Sequence, residues 1–169
     1  MKSASFTSIV QVLNKAGVRF MVAGGLAVNA HGFLRFTKDA DLVIELVPNN
    51  IQAAFTALEG LGYRPNVPIA ASDFADGKKR ASWIQEKGML VLQFWSDDHR
   101  ETPLDIFVQF NFDFEEELSR ALHKPLRDGN DVAFVSLERL LAMKRVAGRP
   151  QDLQDIHELS WRLGNDVST

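Results

Sequence analysis

Apolar residues recur at helical spacing near the N-terminus and then merge into a short apolar run. Four of them share one face of a predicted first helix: Ile9, Val10, Leu13 and Ala16. Gly17 is suited to end that helix, and the following segment 18–23, VRFMVA, is predicted to be a strand. The Gly24-Gly25 pair then leads into a short helix that Gly32 closes. The predicted order is helix, strand, glycine turn and helix.

Apolar and polar residues alternate through the next segment, KDADLVIELV. One face carries four apolar residues: Ala40, Leu42, Ile44 and Leu46. The other face carries acidic residues and a valine: Asp39, Asp41, Val43 and Glu45. This alternation predicts a half-buried strand, which Pro48 ends. The helix that follows takes Asn49 or Asn50 as its N-cap and ends at Gly60 or Gly62.

The middle of the chain predicts one irregular region and one hairpin. Prolines and a glycine make residues 64–79 a predicted loop or insertion. Two runs rich in aliphatic and aromatic residues, 89–96 and 103–112, flank the turn-forming segment DDHRET and predict an antiparallel hairpin. A helix is predicted from about residue 113 to 122, and a last short strand at residues 131–135, DVAFV.

Two further helices are predicted near the C-terminus. Ser136 can cap the first, LERLLAMKRVA, and Gly148 ends it. Pro150 starts the second, which runs through about Leu163.

Strands separated by helices, together with a hairpin, predict an α/β or α+β fold with a mixed sheet flanked by helices. The chain has 169 residues, of which 46% are hydrophobic and 24% charged, so it can bury a core and is not disordered. We expect a single domain, with a sheet-and-helix core over residues 1–135 and a helical segment over residues 136–169 packed on it.

Charge and composition narrow the functional classes. The formal net charge of −3 gives no overall basic field, so contact with nucleic acid would need a local patch such as KKR, Lys78 to Arg80. A solvated surface loop is the better explanation of that patch. The sequence lacks cysteine, the N-terminus lacks the features of a signal peptide, and no apolar run approaches the ~20 residues that span a bilayer. We expect a cytoplasmic protein with no membrane partner.

Asp39 and Asp41 are the first candidate functional residues. Residues two positions apart on a strand project from the same face, and two carboxylates held together there repel each other unless a cation is present. Hard oxygen ligands without cysteine or paired histidine favour Mg²⁺ or Mn²⁺ over Zn²⁺.

Asp105 extends the group of acids. It lies in an otherwise apolar strand, LDIFVQF, where a carboxylate is costly unless it is paired, hydrogen-bonded or bound to a metal. If this strand lies beside the Asp39 and Asp41 strand in register, three acids converge on one side of the sheet. Three carboxylates can hold two Mg²⁺ ions about 4 Å apart, the arrangement used in phosphoryl transfer.

Gly24 and Gly25 supply a site for an anion. Glycines allow a polyphosphate to approach the backbone, and the helix that follows directs free N–H groups toward it. Three residues just before the acids could add phosphate contacts: Arg35, Thr37 and Lys38. Each feature alone has a simpler explanation, namely a plain turn, a solvated strand end or a structural hydrogen-bond acceptor, but their order and spacing favour a site.

The last two helices carry further charged residues. Lys144 continues the apolar stripe of its helix, so its ammonium group either points toward the site or reaches water beyond a packed stem. Arg149, Asp152 and Asp155 lie at the start of the next helix, where capping and the helix dipole explain the two aspartates.

The sequence resembles the polymerase beta-type nucleotidyltransferase superfamily, in particular its small AbiEii-like bacterial branch. Three segments that together span nearly the whole chain carry this resemblance: VAGGLAVNAHGFLRFTKDADLVI, PLDIF and SLERLLAMKRVAGRPQDLQDIHEL.

The resemblance implies a polymerase beta-like fold, Mg²⁺ or Mn²⁺ as cofactor and a nucleoside triphosphate such as ATP as substrate. It implies that Asp39 and Asp41 bind both metals and that Asp105 binds the catalytic metal and helps to deprotonate the attacking hydroxyl. Gly24 and Gly25 would contact the triphosphate. Two cationic residues of the tail would reach triphosphate or substrate: Lys144 and Arg149. Many relatives have serine where Gly25 stands, and glycine removes a hydroxyl contact to phosphate.

The implied function is transfer of a nucleoside monophosphate to a hydroxyl, by the toxin of a toxin–antitoxin or phage-defence pair acting on RNA such as tRNA or on a nucleotide. A cognate antitoxin would then be a partner. A first alternative is an antibiotic nucleotidyltransferase of the aminoglycoside or lincosamide type, which the acidic balance favours slightly because such acceptors are cationic. A second is an inert relative that senses nucleotides or binds a partner. The sequence leaves the acceptor, the nucleobase and the oligomeric state open.

Overall fold

The computed structural model describes residues 1–166, with the side chains of residues 1–162. Within that range the chain forms eight helices and seven strands. The helices are α1 (Ser3–Lys15), α2 (Gly24–Ala30), α3 (Pro48–Gly60), α4 (Ala71–Ala75), α5 (Gly77–Lys87), α6 (Phe114–Arg120), α7 (Leu137–Ala147) and α8 (Pro150–Asp166). The strands are β1 (Phe20–Ala23), β2 (Ala40–Ile44), β3 (Arg64–Pro65), β4 (Val91–Trp95), β5 (Leu104–Phe107), β6 (Leu122–Pro125) and β7 (Asp131–Phe134).

These strands form one sheet in the order β3-β4-β5-β2-β1-β7-β6. β2 lies at its centre, parallel to β5 and antiparallel to β1, while β1 is parallel to β7. The remaining neighbours, β3 with β4, β4 with β5 and β6 with β7, are antiparallel. The sheet is therefore mixed, and the predicted fold class and the predicted hairpin are both confirmed.

One face of the sheet is buried beneath α3, which packs against α1. Leu42, Ile106 and Leu92 pair in register across β2, β5 and β4, and all three are buried. Phe55 of α3 meets Phe94 of β4 edge-on, with 5.1 Å between ring centroids. Each side chain buried in this way contributes roughly 1.5–3 kcal/mol. Because side chains alternate along a strand, the neighbouring residues point to the opposite face, where the acids lie.

The predicted ends of α1 and α7 are confirmed. Gly17 follows α1 with a φ of 67°, and Gly148 follows α7 with a φ of 62°. In this left-handed region glycine has no steric penalty. The Ser136 hydroxyl accepts a hydrogen bond from the Arg139 N–H at 3.2 Å, which caps α7 as expected, and α8 begins at Pro150.

The predicted loop at residues 64–79 is wrong, because this segment contains β3, α4 and the start of α5. Phe74 of α4 is fully buried and so anchors the segment to the core. The carboxylate of Asp76 accepts a hydrogen bond from the Lys78 N–H at 2.8 Å and caps α5. The KKR patch at residues 78–80 is therefore the first turn of a helix and not a loop.

The predicted N-cap of α3 is also wrong, since the helix begins at Pro48, ahead of both Asn49 and Asn50, whereas its predicted end at Gly60 is confirmed. The buried amide of Asn50 accepts from the Arg19 N–H at 2.8 Å and donates to the Arg19 and Glu45 carbonyls at 3.0 and 2.9 Å. The Asn50 side chain therefore binds backbone groups next to β1 and β2, and it does not cap α3.

Two smaller differences concern strands. β6 was not predicted, because its sequence LHKP has no alternation, and it pairs with β7 as the edge of the sheet. β2 is more than half buried, since Val43 is fully buried on the face that carries Asp41. No helix within residues 1–166 is long and apolar enough to cross a membrane. The division of the chain at residue 135 stays a prediction.

Candidate active site

Asp41 and Asp105 occupy the same register position on the parallel neighbours β2 and β5. Neighbouring strands lie about 4.8 Å apart, so the two side chains leave the same face of the sheet side by side. Gln93 of β4 lies opposite Asp105 on its other side. The prediction that the Asp105 strand lies beside the Asp41 strand in register is confirmed.

Asp39 precedes β2 and lines the same cavity as the other two acids. Its carboxylate Oδ1 lies 3.4 Å from the hydroxyl of Thr37, which is at the same distance from the Asp39 carbonyl oxygen. The three predicted acids are thus brought to one side of the sheet, with Thr37 at their edge.

Two of these acids have raised pKa values, as expected for buried carboxylates that lack a bound cation. Burial raises the pKa of Asp41 to about 7, with further contributions from Asp39 and Asp105, against the opposing effect of Arg149 and Lys144. Burial likewise raises the pKa of Asp105. A hydrogen bond from Gln93 lowers this pKa, and the charge of Asp39 raises it. Within the described residues, Oδ1 of Asp105 is buried without a hydrogen-bond partner. A buried acceptor of this kind requires a donor or a cation.

Gly24 lies against the carboxylate of Asp41. Its φ is 59°, and a Cβ atom at this position would lie 1.8 Å from Oδ2 of Asp41. Only glycine therefore allows the start of α2 to approach the acid so closely.

Gly25 lies against Thr37 in the same way. A Cβ atom at Gly25 would lie 2.4 Å from the Thr37 hydroxyl oxygen and 2.7 Å from its Cβ. The Thr37 side chain thus occupies the space that a side chain at position 25 would need. The two glycines are the first residues of α2, whereas the sequence predicted that they form a turn before the helix.

The two alternatives for Lys144 are resolved, because its side chain is only 5% exposed and its ammonium group does not reach water. Its Nζ lies 2.9 Å from Oδ1 of Asp152 and 2.7 Å from Oδ2 of Asp155. Two of its three N–H donors are used there, and the side chain lines the cavity.

Helix capping does not adequately explain Asp152 and Asp155, and that interpretation is wrong. Asp152 accepts from the Arg149 N–H at 3.2 Å, which is a capping contact, but it also binds Nε of Arg149 at 2.7 Å and Nζ of Lys144. Both carboxylates are buried, with exposures of 1% and 0%. Burial alone would raise the pKa of Asp152, but the hydrogen bonds from Arg149 and Lys144 outweigh it and lower this pKa to about 2.

Arg35 lines the cavity, but most of its hydrogen-bonding capacity is used within the protein. Its Nε and NH2 groups donate to the two carboxylate oxygens of Asp155 at 2.7 and 2.8 Å, and NH1 donates to the Phe36 carbonyl at 2.9 Å. Arg35 therefore connects the segment before β2 to α8. The phosphate contact predicted for it stays a prediction.

All ten predicted site residues line one cavity of about 560 Å³. They are Gly24, Gly25, Arg35, Thr37, Lys38, Asp39, Asp41, Asp105, Lys144 and Arg149. The remaining wall is largely apolar and includes Phe36, Leu90, Val91, Phe107, Leu140, Met143 and Ala147. Charged and apolar side chains thus line the same cavity.

Among residues whose side chains are described, no three carboxylates or histidines are already grouped as closely as a metal site requires. The chemistry of the three acids nevertheless fits a divalent cation, since one buried carboxylate oxygen lacks a partner and burial, together with the neighbouring acids, raises the pKa of Asp41. The predicted metal ligation stays a prediction.

Several residues that shape the site were not predicted: Asn29, whose amide binds the backbone of Arg35, and Gln93, Asp152 and Asp155. A usable signal existed for the two acids, because they fall with Leu159 at i, i+3 and i+7 along α8 and so share its buried stripe. A lysine on the buried stripe of α7 and two acids on that of α8 predict a buried ion pair. No comparable signal marks Gln93 or Asn29.

The chain has the fold of the polymerase β-like nucleotidyltransferases. Its sequence matches the family described as "Nucleotidyl transferase AbiEii toxin, Type IV TA system" over residues 11–166, and the chain belongs to that family. The resemblance inferred from the three sequence segments is confirmed. No protein with a curated description is significantly similar to this sequence.

Solved structures of antibiotic-modifying proteins share the fold. The lincosamide antibiotic adenylyltransferase LnuA, bound to lincomycin, has a TM-score of 0.63 at 15% identity, with 95% of this chain and 97% of LnuA covered. The antibiotic-resistance factor ANT(2'')-Ia in solution has a TM-score of 0.62 at 13% identity, covering 95% and 83%. Its complex with adenylyl-2''-tobramycin has a TM-score of 0.61 at 13% identity, covering 96% and 90%. At these identities the likeness concerns the fold alone.

Proposed function

We propose that this nucleotidyltransferase moves a nucleoside monophosphate from a nucleoside triphosphate to a hydroxyl group and releases pyrophosphate. The observation that carries the proposal is the in-register pair of Asp41 and Asp105, with Asp39 beside them, in a cavity that also exposes Gly24. In-line transfer needs positioning and neutralisation of charge more than covalent catalysis, and this cavity contains groups suited to both.

Asp39, Asp41 and Asp105 would hold the divalent cations, Mg²⁺ or Mn²⁺, which would neutralise charge on the triphosphate. The raised pKa of Asp105 supports a second role for its carboxylate, namely accepting the proton of the attacking hydroxyl. Two-metal catalysis is part of this proposal.

The triphosphate, ATP or another NTP, would be held by backbone and cationic groups around the acids. Gly24 and Gly25 would offer backbone N–H groups, and the hydroxyl of Thr37, beside Gly25, would donate to a phosphate oxygen. The cations on the cavity wall would complete the binding of phosphate or substrate: Arg35, Lys38, Lys144 and Arg149. The third N–H donor of Lys144 is not used by its two aspartates and remains for this contact.

We propose RNA such as tRNA, or a nucleotide, as the acceptor, with the protein acting as the toxin of a toxin–antitoxin or phage-defence system in the cytoplasm. The family description, which names a toxin of a type IV system, supports this role and a cognate antitoxin as partner.

The second candidate acceptor is a lincosamide or aminoglycoside antibiotic. Two observations favour it: the structural neighbours act on or bind such compounds, and the apolar residues of the cavity wall can contact a ring system. An inert relative that only senses nucleotides is disfavoured by the three intact carboxylates.

The acceptor is identified by supplying each α-³²P-labelled NTP with Mg²⁺ to total RNA, to purified tRNA and to a panel of both antibiotic classes. Label in RNA supports the toxin role, and label in an antibiotic supports the second candidate. Binding of NTP without transfer to any of these acceptors or release of pyrophosphate supports the inert relative.

A further inference from the structure

The loop between α2 and β2, residues 33–39, carries Thr37 and Asp39 to the cavity, and we call it the Arg35 loop. Phe33 packs partly against the core, but the other two apolar side chains of the loop do little to hold it in place, because Leu34 is 81% exposed and Phe36 is 72% exposed. Lys38 is exposed as well. Arg35 differs from these neighbours, since its side chain is only 18% exposed.

Arg35 is bound through both its backbone and its side chain. The amide of Asn29 accepts from the Arg35 N–H at 2.9 Å and donates to the Arg35 carbonyl at 3.0 Å, which ties the loop backbone to α2. The guanidinium group donates two hydrogen bonds to the carboxylate of Asp155, in the bidentate geometry that gives the strongest and most directional pairing. The position of the loop therefore depends on α8.

Asp155 contacts more than the loop. Its buried carboxylate also accepts from Nζ of Lys144 at 2.7 Å and from Nε2 of Gln151 at 3.1 Å. One carboxylate thus joins the Arg35 loop, α7 and α8. Asp155 itself is not part of the cavity wall, whereas Arg35 and Lys144 both are.

We propose that Asp155 is a positioning residue of this site, which holds the Arg35 loop and Lys144 in the arrangement that brings Thr37, Asp39 and the ammonium group to one cavity. The consequence for catalysis rests on the proposed function; the consequence for the loop does not. A loop with exposed apolar residues and a few polar anchors is expected to open locally when one anchor is lost.

Hydrogen–deuterium exchange of the full chain tests the proposal without any assay of activity. In Asp155→Asn, amides of the Arg35 loop should exchange roughly tenfold faster than in the wild type, since the carboxylate no longer accepts a charge-assisted bidentate pair. Arg35→Gln is the second variant, because it leaves Asp155 bound to Lys144 and Gln151 and so decides the question if Asp155→Asn does not fold.

Glu117→Gln is the matched control. Glu117 is also a buried carboxylate, 2% exposed, that accepts from the Ser136 N–H at 2.7 Å and pairs with Arg139, but it lies outside the cavity wall. Faster exchange of the Arg35 loop in Asp155→Asn or Arg35→Gln, but not in Glu117→Gln, supports the proposal. Unchanged loop exchange in a folded test variant overturns it, and so does an equal increase in the control.

The kinetic consequence is measured separately. Asp155→Asn and Arg35→Gln should lower kcat by about 100-fold, the scale of a misplaced reacting group, while Glu117→Gln should leave kcat close to that of the wild type. If the wild type transfers no nucleotide, the proposed function fails while the exchange experiment still decides the role of Asp155. If the loop exchanges faster and kcat does not fall, the positioning role is overturned.

Discussion

Gly24 and Asp41 approach so closely that a Cβ atom on the glycine would lie 1.8 Å from the Oδ2 atom of the aspartate. The contact joins the start of α2 to the central strand of the sheet at the level of the acids. A substitution at position 24 therefore tests the site without replacing any charged group.

Gly24→Ala should displace the carboxylate of Asp41 and lower pyrophosphate release by about 100-fold. Gly88→Ala is the matched control, because Gly88 has nearly the same φ, 61° against 59°, and a Cβ there meets nothing within 4 Å. The control should lose only the roughly 1–2 kcal/mol that a left-handed alanine costs, measured by urea unfolding. Equal behaviour of the two variants in both measurements would contradict the assigned role of Gly24.

Gly25 and Thr37 should behave as a coupled pair. Gly25→Ser should weaken binding of a non-hydrolysable NTP analogue, because the new side chain meets both the hydroxyl and the Cβ of Thr37, and Thr37→Gly should relieve that contact. The double variant should therefore bind more tightly than the two single changes predict, with a coupling energy of about 1 kcal/mol or more. Isothermal titration calorimetry on the four proteins measures this, and strictly additive losses would show that the two positions do not share space.

The sequence predicts this part of the site well because the relevant signals are local. The alternation through β2 places Asp39 and Asp41, and a lone acid in an apolar strand marks Asp105. Their register could be stated only as a condition, since pairing between β2 and β5 joins residues more than sixty positions apart in the sequence. Tertiary contact, not local preference, fixes it.

Long-range partners also explain what the sequence did not predict. Asn50 is a residue type that often caps helices, but its side chain binds the backbones of Arg19 and Glu45. Asp155 lies near a helix start, but it is bound by Arg35, 120 positions away. Segment 64–79 has the prolines of a loop, yet burial of Phe74 holds it as regular structure. In each case a distant partner outweighs a local preference.

Lys144 should be important for stability in a way that Arg149 is not. Lys144→Met leaves two buried carboxylates without one of their cations and should cost about 3–5 kcal/mol in the free energy of unfolding. Arg149→Met should cost less than Lys144→Met, because the Arg149 side chain is 75% exposed and pairs with only one of the two carboxylates, Asp152. Urea denaturation of both variants gives the comparison, and equal losses would contradict the buried ion-pair network.

Asp152 should make stability depend on pH in the acid range. Its pKa in the folded protein, about 2, lies below the usual value of 3.8, so its contribution is complete above pH 5 and is lost as the pH falls through 4 toward 2. The difference in unfolding free energy between wild type and Asp152→Asn should therefore shrink by roughly 2 kcal/mol between pH 6 and pH 2. A difference that stays constant over this range would show that the carboxylate is not held in its charged form.

Divalent cations should stabilise the folded protein by binding to its three acids. Mn²⁺ added to metal-free wild type should bind and raise the melting temperature, since a ligand that binds only the folded state stabilises it. In Asp105→Asn, the Mn²⁺ concentration needed for the same rise in melting temperature should be at least about tenfold higher than in the wild type. The control is Asp131→Asn, which should respond like the wild type because β7 is separated from β2 by β1. Identical Mn²⁺ responses of wild type and Asp105→Asn would separate Asp105 from the metal site.

The central claim is that Asp39, Asp41 and Asp105 together hold the divalent cations of nucleotidyl transfer. The most direct measurement is Mg²⁺-dependent release of pyrophosphate from an NTP by the wild type and by the double variant Asp39→Asn with Asp41→Asn, with circular dichroism used to check that the variant is folded. We predict that the folded variant loses release by at least about 1,000-fold. Undiminished, Mg²⁺-dependent release by that variant would contradict the account.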